Sequence, residues 1–267
     1  MNQPAPRQPA PAADLMIDQS YMQALRRADP DRMLAAAFAP AAKRPALFLL
    51  YAFNHELARA REVASSGPMA LIRLHWWREV IDGAQRRHPV ALPLRQALAD
   101  GVFAPADLLG LIDAREAEAE PIPDLDAFMA YAQGTAGALM RVAGIWLGAD
   151  RSVRAALERL GTGTGIALML RAAPSLRALG RDLLPQDGTT AQKLADHAQG
   201  LLATPTPSVA LAATLPSVLA RRDLARLDQR TPIHPRSLGD RLAVIRAGWR
   251  GRIGPSPRST SDGMNAL

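Results

Sequence analysis

From Asp14 onward apolar residues recur at spacings of three and four, alternation over the length of a strand is scarce, and Pro or Gly marks the breaks. That pattern predicts an all-α chain. A first helical segment covers 21–38. The stretch 45–64 opens with apolar residues on every side, as a central buried helix requires, and turns polar from Asn54 to Glu62. Ser65-Ser66-Gly67-Pro68 reads as a turn that offers Pro68 to a first helical position, and a helix follows over 69–82. Helices are expected over 91–99 and 105–119, then over 125–147 with Asp124 as N-cap and Leu125, Phe128, Met129, Ala132, Ala136 and Leu139 as its apolar stripe. Asp150 caps the next, which runs to about Ala173. Its glycines at 161, 163 and 165 would let a neighbouring helix come close. Weaker patterns over 190–202, 208–227 and 237–249 complete a single domain at 14–253. The Pro/Ala-rich start at 1–13 and the tail at 254–267 have the composition of disordered segments.

The longest apolar run, Pro45-Ala-Leu-Phe-Leu-Leu-Tyr-Ala-Phe53, is too short to span a bilayer, and the start lacks the basic and apolar regions of a secretory signal. Zero cysteines among 267 residues exclude disulfides, thiolate zinc sites and cysteine nucleophiles, and suit a reducing cytoplasm. The net charge of +7 points toward anionic partners. Only Lys43 and Lys193 are lysines, however, and arginine in an Ala-rich background is also what a GC-rich coding sequence produces.

Where the charge sits is more informative than its total. Residues 221–253 hold nine Arg against Asp223, Asp228 and Asp240. Leu242, Ile245 and Trp249 share one face of the last helix, flanked by Arg241, Arg246 and Arg250. This is the layout of a helix lying on an anionic membrane surface, or of the solvated outer face of a docked helix.

Three features invite over-reading. Gly161-Thr-Gly-Thr-Gly165 is half of a dinucleotide fingerprint without the strand that such a fingerprint follows. The five histidines, His55, His75, His88, His197 and His234, show no ligand spacing, so no metal site is expected from them. Trp76-Trp77 on a helix puts one ring inward and the other at an edge, so packing explains it.

Leu50-Tyr-Ala-Phe-Asn-His-Glu-Leu-Ala-Arg-Ala-Arg-Glu62, Arg73-Leu-His-Trp-Trp-Arg-Glu79 and His88-Pro-Val-Ala-Leu92 resemble the early helices of the squalene/phytoene synthase family. Tyr131-Ala-Gln-Gly-Thr-Ala-Gly-Ala-Leu-Met140 and Gly165-Ile-Ala-Leu-Met-Leu170, with Leu184-Pro185, are similar to its later segments in the same order. The resemblance implies an isoprenoid-synthase-like helical bundle around a central cavity. It also implies head-to-head joining of prenyl diphosphates, with Mg²⁺ held by Asp-rich motifs on two facing helices. Ionising a diphosphate in an apolar cavity develops negative charge that oxygen-ligated magnesium must neutralise.

The chain departs from both motifs. Where the family's first motif carries an Arg and then aspartates, the matching places are His55, Ala58, Arg59 and Glu62. Where the second carries Asn and Asp, the stretch holds Arg171, Pro174 and Asp182, and Arg159 through Arg181 contains no acid. Pro174 should also end or kink its helix. Phe-Asn-x-Glu-Leu-Ala and Leu-Arg-Ala-x-Pro resemble a non-catalytic branch typified by the mitochondrial complex I assembly factor.

That resemblance implies a role in assembling or stabilising NADH:quinone oxidoreductase. The implied partners are its subunits or other assembly proteins. The place is the cytoplasm, peripheral on the inner face of the respiratory membrane, with no cofactor and no nucleic acid. An isoprenoid transferase using Mg²⁺ is the alternative. A non-catalytic prenyl-lipid binder is another, with Tyr51, Asn54, Arg59, Arg73, Tyr131 and Arg171 as cavity or ligand residues. In that case Arg59 and Arg171 either hold an anionic head group or pair with acids at a cavity mouth.

Overall fold

In the computed structural model, which describes residues 19–64, 66–227, 235–251 and 253, the first predicted segment is two helices, α1 (Gln19–Ala28) and α2 (Pro30–Ala36). Asp29 divides them: its carboxylate caps α2 by accepting the Arg32 N–H at 3.0 Å, and Pro30 takes the first helical position. The expectations placed on 1–13 and 254–267 lie outside the described residues. Helix α3 (Arg44–Glu62) runs through the middle of the molecule, buried all round from Leu49 to Asn54 and opening toward solvent in its last turns. Helices α4 (Gly67–Ile81), α5 (Ala91–Ala99) and α6 (Pro105–Arg115) pack on one side of it. A 3₁₀ turn, Glu116–Ala119, continues α6 and lies so close to α4 that any side chain at Gly67 would overlap the Ala119 carbonyl.

Asp124 caps α7 (Leu125–Ala132) as the sequence predicts, accepting the Ala127 N–H at 2.8 Å. The predicted helix over 125–147 is one run with a π-turn at Gln133–Gly137, continuing as α8 (Ala138–Leu147) to Gly148, whose φ of 110° ends it. Helix α9 (Arg151–Ala178), capped by Asp150, is the longest, and it packs against α7, α8 and the π-turn. Its glycines act as the sequence suggests: a Cβ at Gly161 would lie 2.6 Å from the Ala136 oxygen and 2.8 Å from the Gly137 Cα.

Pro174 does not end this helix, which continues to Ala178. The proline faces solvent while Leu170 and Ala173 are buried, so the helix is carried past the missing hydrogen bond by its packed side. Helix α10 (Ala191–Leu202) also packs on α9. The predicted helix over 208–227 consists of a 3₁₀ turn (Ser208–Ala210), α11 (Leu211–Thr214) and, starting at Pro216, α12 (Pro216–Leu224). Helix α13 (Leu238–Arg250) starts at a capping box of Ser237 and Asp240 and ends at Gly251, with φ of 65°.

The described residues are helical with no strand, as the pattern predicts, and none of their helices is long and apolar enough to cross a membrane. One large core holds Leu47, Phe53, Phe128 and Leu157, and a smaller one of Ala35, Leu215, Leu219 and Val244 fastens α2, α12 and α13 together.

Candidate functional site

The polar second half of α3 faces two directions. Tyr51 and Asn54 point inward, and burial pushes the Tyr51 phenol above its ordinary value. The Arg32 guanidinium lies 5.9 Å from the Tyr51 ring centre. The space that Arg32 and Tyr51 share with Met140, Gly161, Thr164 and Pro216 is a cavity of about 10 Å³, at most one water molecule. Two turns further along α3, Arg59 turns outward and pairs with Glu56 at 3.2 Å.

With Arg73, Ile72, Trp76 and His88, Arg59 and Glu56 line an outer groove of about 430 Å³ between α3 and α4. Burial pushes the His88 imidazole below its ordinary value, against the pull of Glu56. Trp77 is buried edge-on to Phe53 with ring centres 5.4 Å apart, while Trp76 sits at the rim, the division that the sequence predicts. Arg171 lies elsewhere again, on α9, with Asp223 of α12 at 3.4 Å. The six proposed ligand residues do not share one cavity: Tyr51 lines the small one, Arg59 and Arg73 the outer groove, Arg171 stands beside Asp223, and Asn54 and Tyr131 belong to a buried network. Both Arg59 and Arg171 have acids beside them.

A buried charged hub joins five elements, and its centre, Glu118, is a residue that sequence reasoning missed. The Glu118 side chain is 3% exposed. Its Oε1 accepts the Tyr131 hydroxyl at 2.7 Å and Arg115 Nη1 at 2.6 Å, and its Oε2 accepts Arg181 Nη2 at 3.2 Å. Arg115 Nη2 donates to Asn54 Oδ1 at 3.2 Å, and Arg61 Nε donates to the Glu118 carbonyl at 3.1 Å. Burial holds the Tyr131 phenol far above its ordinary value, so Tyr131 is the donor to Glu118. Burial opposes the charge on Arg115, but Tyr131, Glu118 and Glu62 more than restore it, and the guanidinium is more firmly protonated than usual. Glu118 stands in Glu116-Ala-Glu-Ala-Glu120, an acidic run that reads as a solvated helix end, and nothing local says which acid turns inward.

The two stretches likened to the family's aspartate motifs meet at this hub. Glu62 from the first and Arg181 from the second are 3.9 Å apart, and Arg181 also reaches Glu118. Asp182, the other remaining acid, accepts Arg177 Nε and the Leu184 N–H at 2.8 and 2.9 Å. His55 and Ala58 are half-buried on α3, and Pro174 is on the outer side of α9. Among the described residues no three metal-ligating side chains gather at one place. This donor set, with arginine where the second carboxylate cluster should be, does not fit a magnesium cluster on diphosphates.

The basic C-terminal region is in part internally neutralised. Asp240, buried at the start of α13, accepts Arg222 Nε at 2.7 Å and both terminal nitrogens of Arg226 at 2.9 and 3.1 Å. Hydrogen bonds from Arg226 and then Arg222 and Ser237 outweigh its burial and hold the carboxyl well below the usual range. On acidification the unfolded chain takes up this proton first. The stability that Asp240 contributes is complete above an ordinary aspartate pKa of about 3.9 and is lost as the pH falls below it toward the depressed folded value. Asp240→Asn is expected to melt lower at neutral pH and to show a shallower decline of melting temperature below pH 4 or so. Parallel declines in the two proteins would count against the assignment.

The described residues thus define an all-α bundle in which a buried ion-pair network, with Glu118 at its centre, joins the end of α3, the turn after α6, α7 and the stretch after α9. The sequence profile described as Squalene/phytoene synthase matches residues 25–220, and the chain belongs to that family. Its fold is similar to a crystal structure of a dehydrosqualene synthase, with a TM-score of 0.64 at 14% identity, covering 87% of this chain and 97% of that one. It is similar also to squalene synthase HpnC from Alicyclobacillus acidocaldarius, with a TM-score of 0.61 at 19% identity over 79% and 93% of the two chains.

Among curated proteins it resembles NADH dehydrogenase (ubiquinone) complex I, assembly factor 6. The Bos taurus protein is 28% identical over 177 residues and the Homo sapiens protein 27%, each match covering 64% of this chain and 53% of the relative. The chain thus matches about half the length of these relatives.

Proposed function

We propose that the chain is a non-enzymatic member of its family that assists assembly or stabilisation of NADH:quinone oxidoreductase. It acts without a cofactor at the cytoplasmic face of the respiratory membrane, through contacts with subunits of the complex or with other assembly proteins. The observation that carries this is Arg181. Its guanidinium, from the stretch likened to the family's second motif, lies 3.9 Å from Glu62 of the first and 3.2 Å from Glu118, so a cation that belongs to the chain stands between these acids. Positive charge there is built into the chain, which supports a scaffold rather than a metal-dependent ionisation of substrate. The resemblance to the assembly factor 6 proteins supplies the process.

Deleting the gene is expected to lower NADH oxidation by isolated membranes while succinate oxidation, the internal control, stays level. The wild-type gene and Glu62→Gln should restore it alike, because Glu62 has no proton or metal to handle in this reading. An unchanged ratio, or Mg²⁺-dependent release of pyrophosphate from farnesyl diphosphate by the purified chain at an enzyme-like rate, would overturn the proposal.

A further inference from the structure

Helix α13 presents a second set of apolar residues to solvent. Val244 and Asp240 on its inner side are buried, and a side chain at Gly248 would collide with the Phe38 ring, so that side is fully committed to the body of the protein. On the outer side Leu238 is 77% exposed, Leu242 57% and Trp249 82%, with Ile245 half-buried between them. At about 100° per residue, positions 238, 242, 245 and 249 fall within a sector of about 60° and extend about 16 Å along the axis. Arg241 borders this stripe on one side, Arg246 and Arg250 on the other, and all three are exposed. Among the described residues none of the three is in an ion pair, whereas Arg222 and Arg226 beside them are consumed by Asp240.

We infer that α13 docks the protein on an anionic lipid surface, with Trp249, Leu242 and Leu238 entering the interface and Arg241, Arg246 and Arg250 meeting phosphate head groups. An exposed tryptophan costs solvation unless something covers it, and its amphipathic ring is suited to the boundary between head groups and acyl chains. Arginines border the stripe on both sides and no acid stands beside it on α13, so its charge complements an anionic surface. The flanking guanidiniums lie at the level where lipid phosphates would stand, their stems covering the edge of the apolar strip. This inference is independent of the assembly reading, because it rests on an exposed helix face and on exposed arginines that have no ion pair among the described residues.

The test is flotation of the full chain with vesicles of phosphatidylcholine alone and of phosphatidylcholine with about one-third phosphatidylglycerol. The wild type should float with the anionic vesicles only, and high salt should release it. Replacing Arg241, Arg246 and Arg250 together by Gln should cut partitioning by about 100-fold, since each basic residue near such a surface contributes about one factor of five. The melting temperature of this variant should stay level, because the three side chains are exposed and none has an ion pair among the described residues. Anionic vesicles should also shift the tryptophan emission to the blue in the wild type and not in Trp249→Phe, although Trp76, Trp77 and Trp146 remain. Equal flotation with neutral vesicles, flotation unaffected by the triple replacement, or no flotation at all would each overturn the inference. In the last case the stripe belongs to a protein interface.

Discussion

Glu118→Ala is expected to lower the unfolding free energy by about 3–5 kcal/mol, the cost of removing one partner from a buried charge cluster. The reason is what the substitution leaves behind. Arg115 and Arg181 are largely buried, at 14% and 13% side-chain exposure, and both spend hydrogen bonds on the Glu118 carboxylate. Without it, two guanidiniums face each other across a Tyr131 hydroxyl that has lost its acceptor. Asn54 still accepts from Arg115 and Glu62 still lies near Arg181, but Glu62 is half-exposed and its pairing at 3.9 Å is screened.

Glu118→Gln should cost less, because an amide oxygen can still accept from Tyr131 while the charge balance is lost. Tyr131→Phe should cost about 1 kcal/mol, the net worth of one hydrogen bond. Denaturant unfolding of the three variants gives this order directly. A Glu118→Ala loss below 1 kcal/mol or so would show that the hub does not hold the fold together. Because the proposed function is that of a scaffold, recovery of the NADH branch in the deletion strain should follow the stabilities of these variants, whereas Glu62→Gln should leave it unchanged.

Much of the helix framework was legible because local chemistry decides it. Asp124, Asp150, Thr190 and Ser237 each accept a backbone N–H at the start of a helix, and Pro105 and Pro68 take early helical positions as a ring without an N–H should. Local rules also misled. Asp29-Pro30 carries the same kind of start signal inside a continuous apolar pattern, and the pattern masked it. The backbone rule for Pro174 fails because burial of Leu170 and Ala173 on the other side of the helix outweighs one missing bond.

The site was less legible than the fold, for a geometric reason. Arg59, Arg73 and Arg171 look like one set on a line of sequence, yet a rotation of some 100° per residue separates Arg59 from the inward side of α3. Which of Glu116, Glu118 and Glu120 turns inward depends on Arg115, Tyr131 and Arg181 arriving from three other elements. The motif departures, by contrast, could be seen before any coordinates, and the structure adds that Glu62 and Arg181 face one another.

The same methyl group added at two glycines should have opposite effects. Gly200 lies on the exposed side of α10, where a Cβ would meet nothing within 4 Å, and Gly200→Ala is expected to stabilise by about 0.5–1 kcal/mol by stiffening the unfolded chain. Gly161→Ala gains the same entropic term and is nevertheless expected to destabilise by about 2–3 kcal/mol, the upper part of the range for overpacking. Its Cβ would lie 2.6 Å from the Ala136 oxygen, 2.8 Å from the Gly137 Cα and 2.8 Å from the Met140 Cβ. Two of these are backbone atoms of the π-turn, which cannot rotate aside as a side chain can. To accept the methyl group α9 must move off the turn.

That turn is joined to the hub, since Thr135 Oγ1 inside it donates to the Tyr131 carbonyl at 2.7 Å and Tyr131 OH holds Glu118. Displacing the π-turn therefore displaces the phenol, and part of the cost of Gly161→Ala is the weakened Tyr131–Glu118 bond. The double variant Gly161→Ala/Tyr131→Phe should accordingly lose less than the two single losses added, because the bond can be lost only once. Strict additivity would mean that the turn and the hub are independent. A stabilising Gly161→Ala would mean that the close approach of α9 to the π-turn is not what that glycine provides.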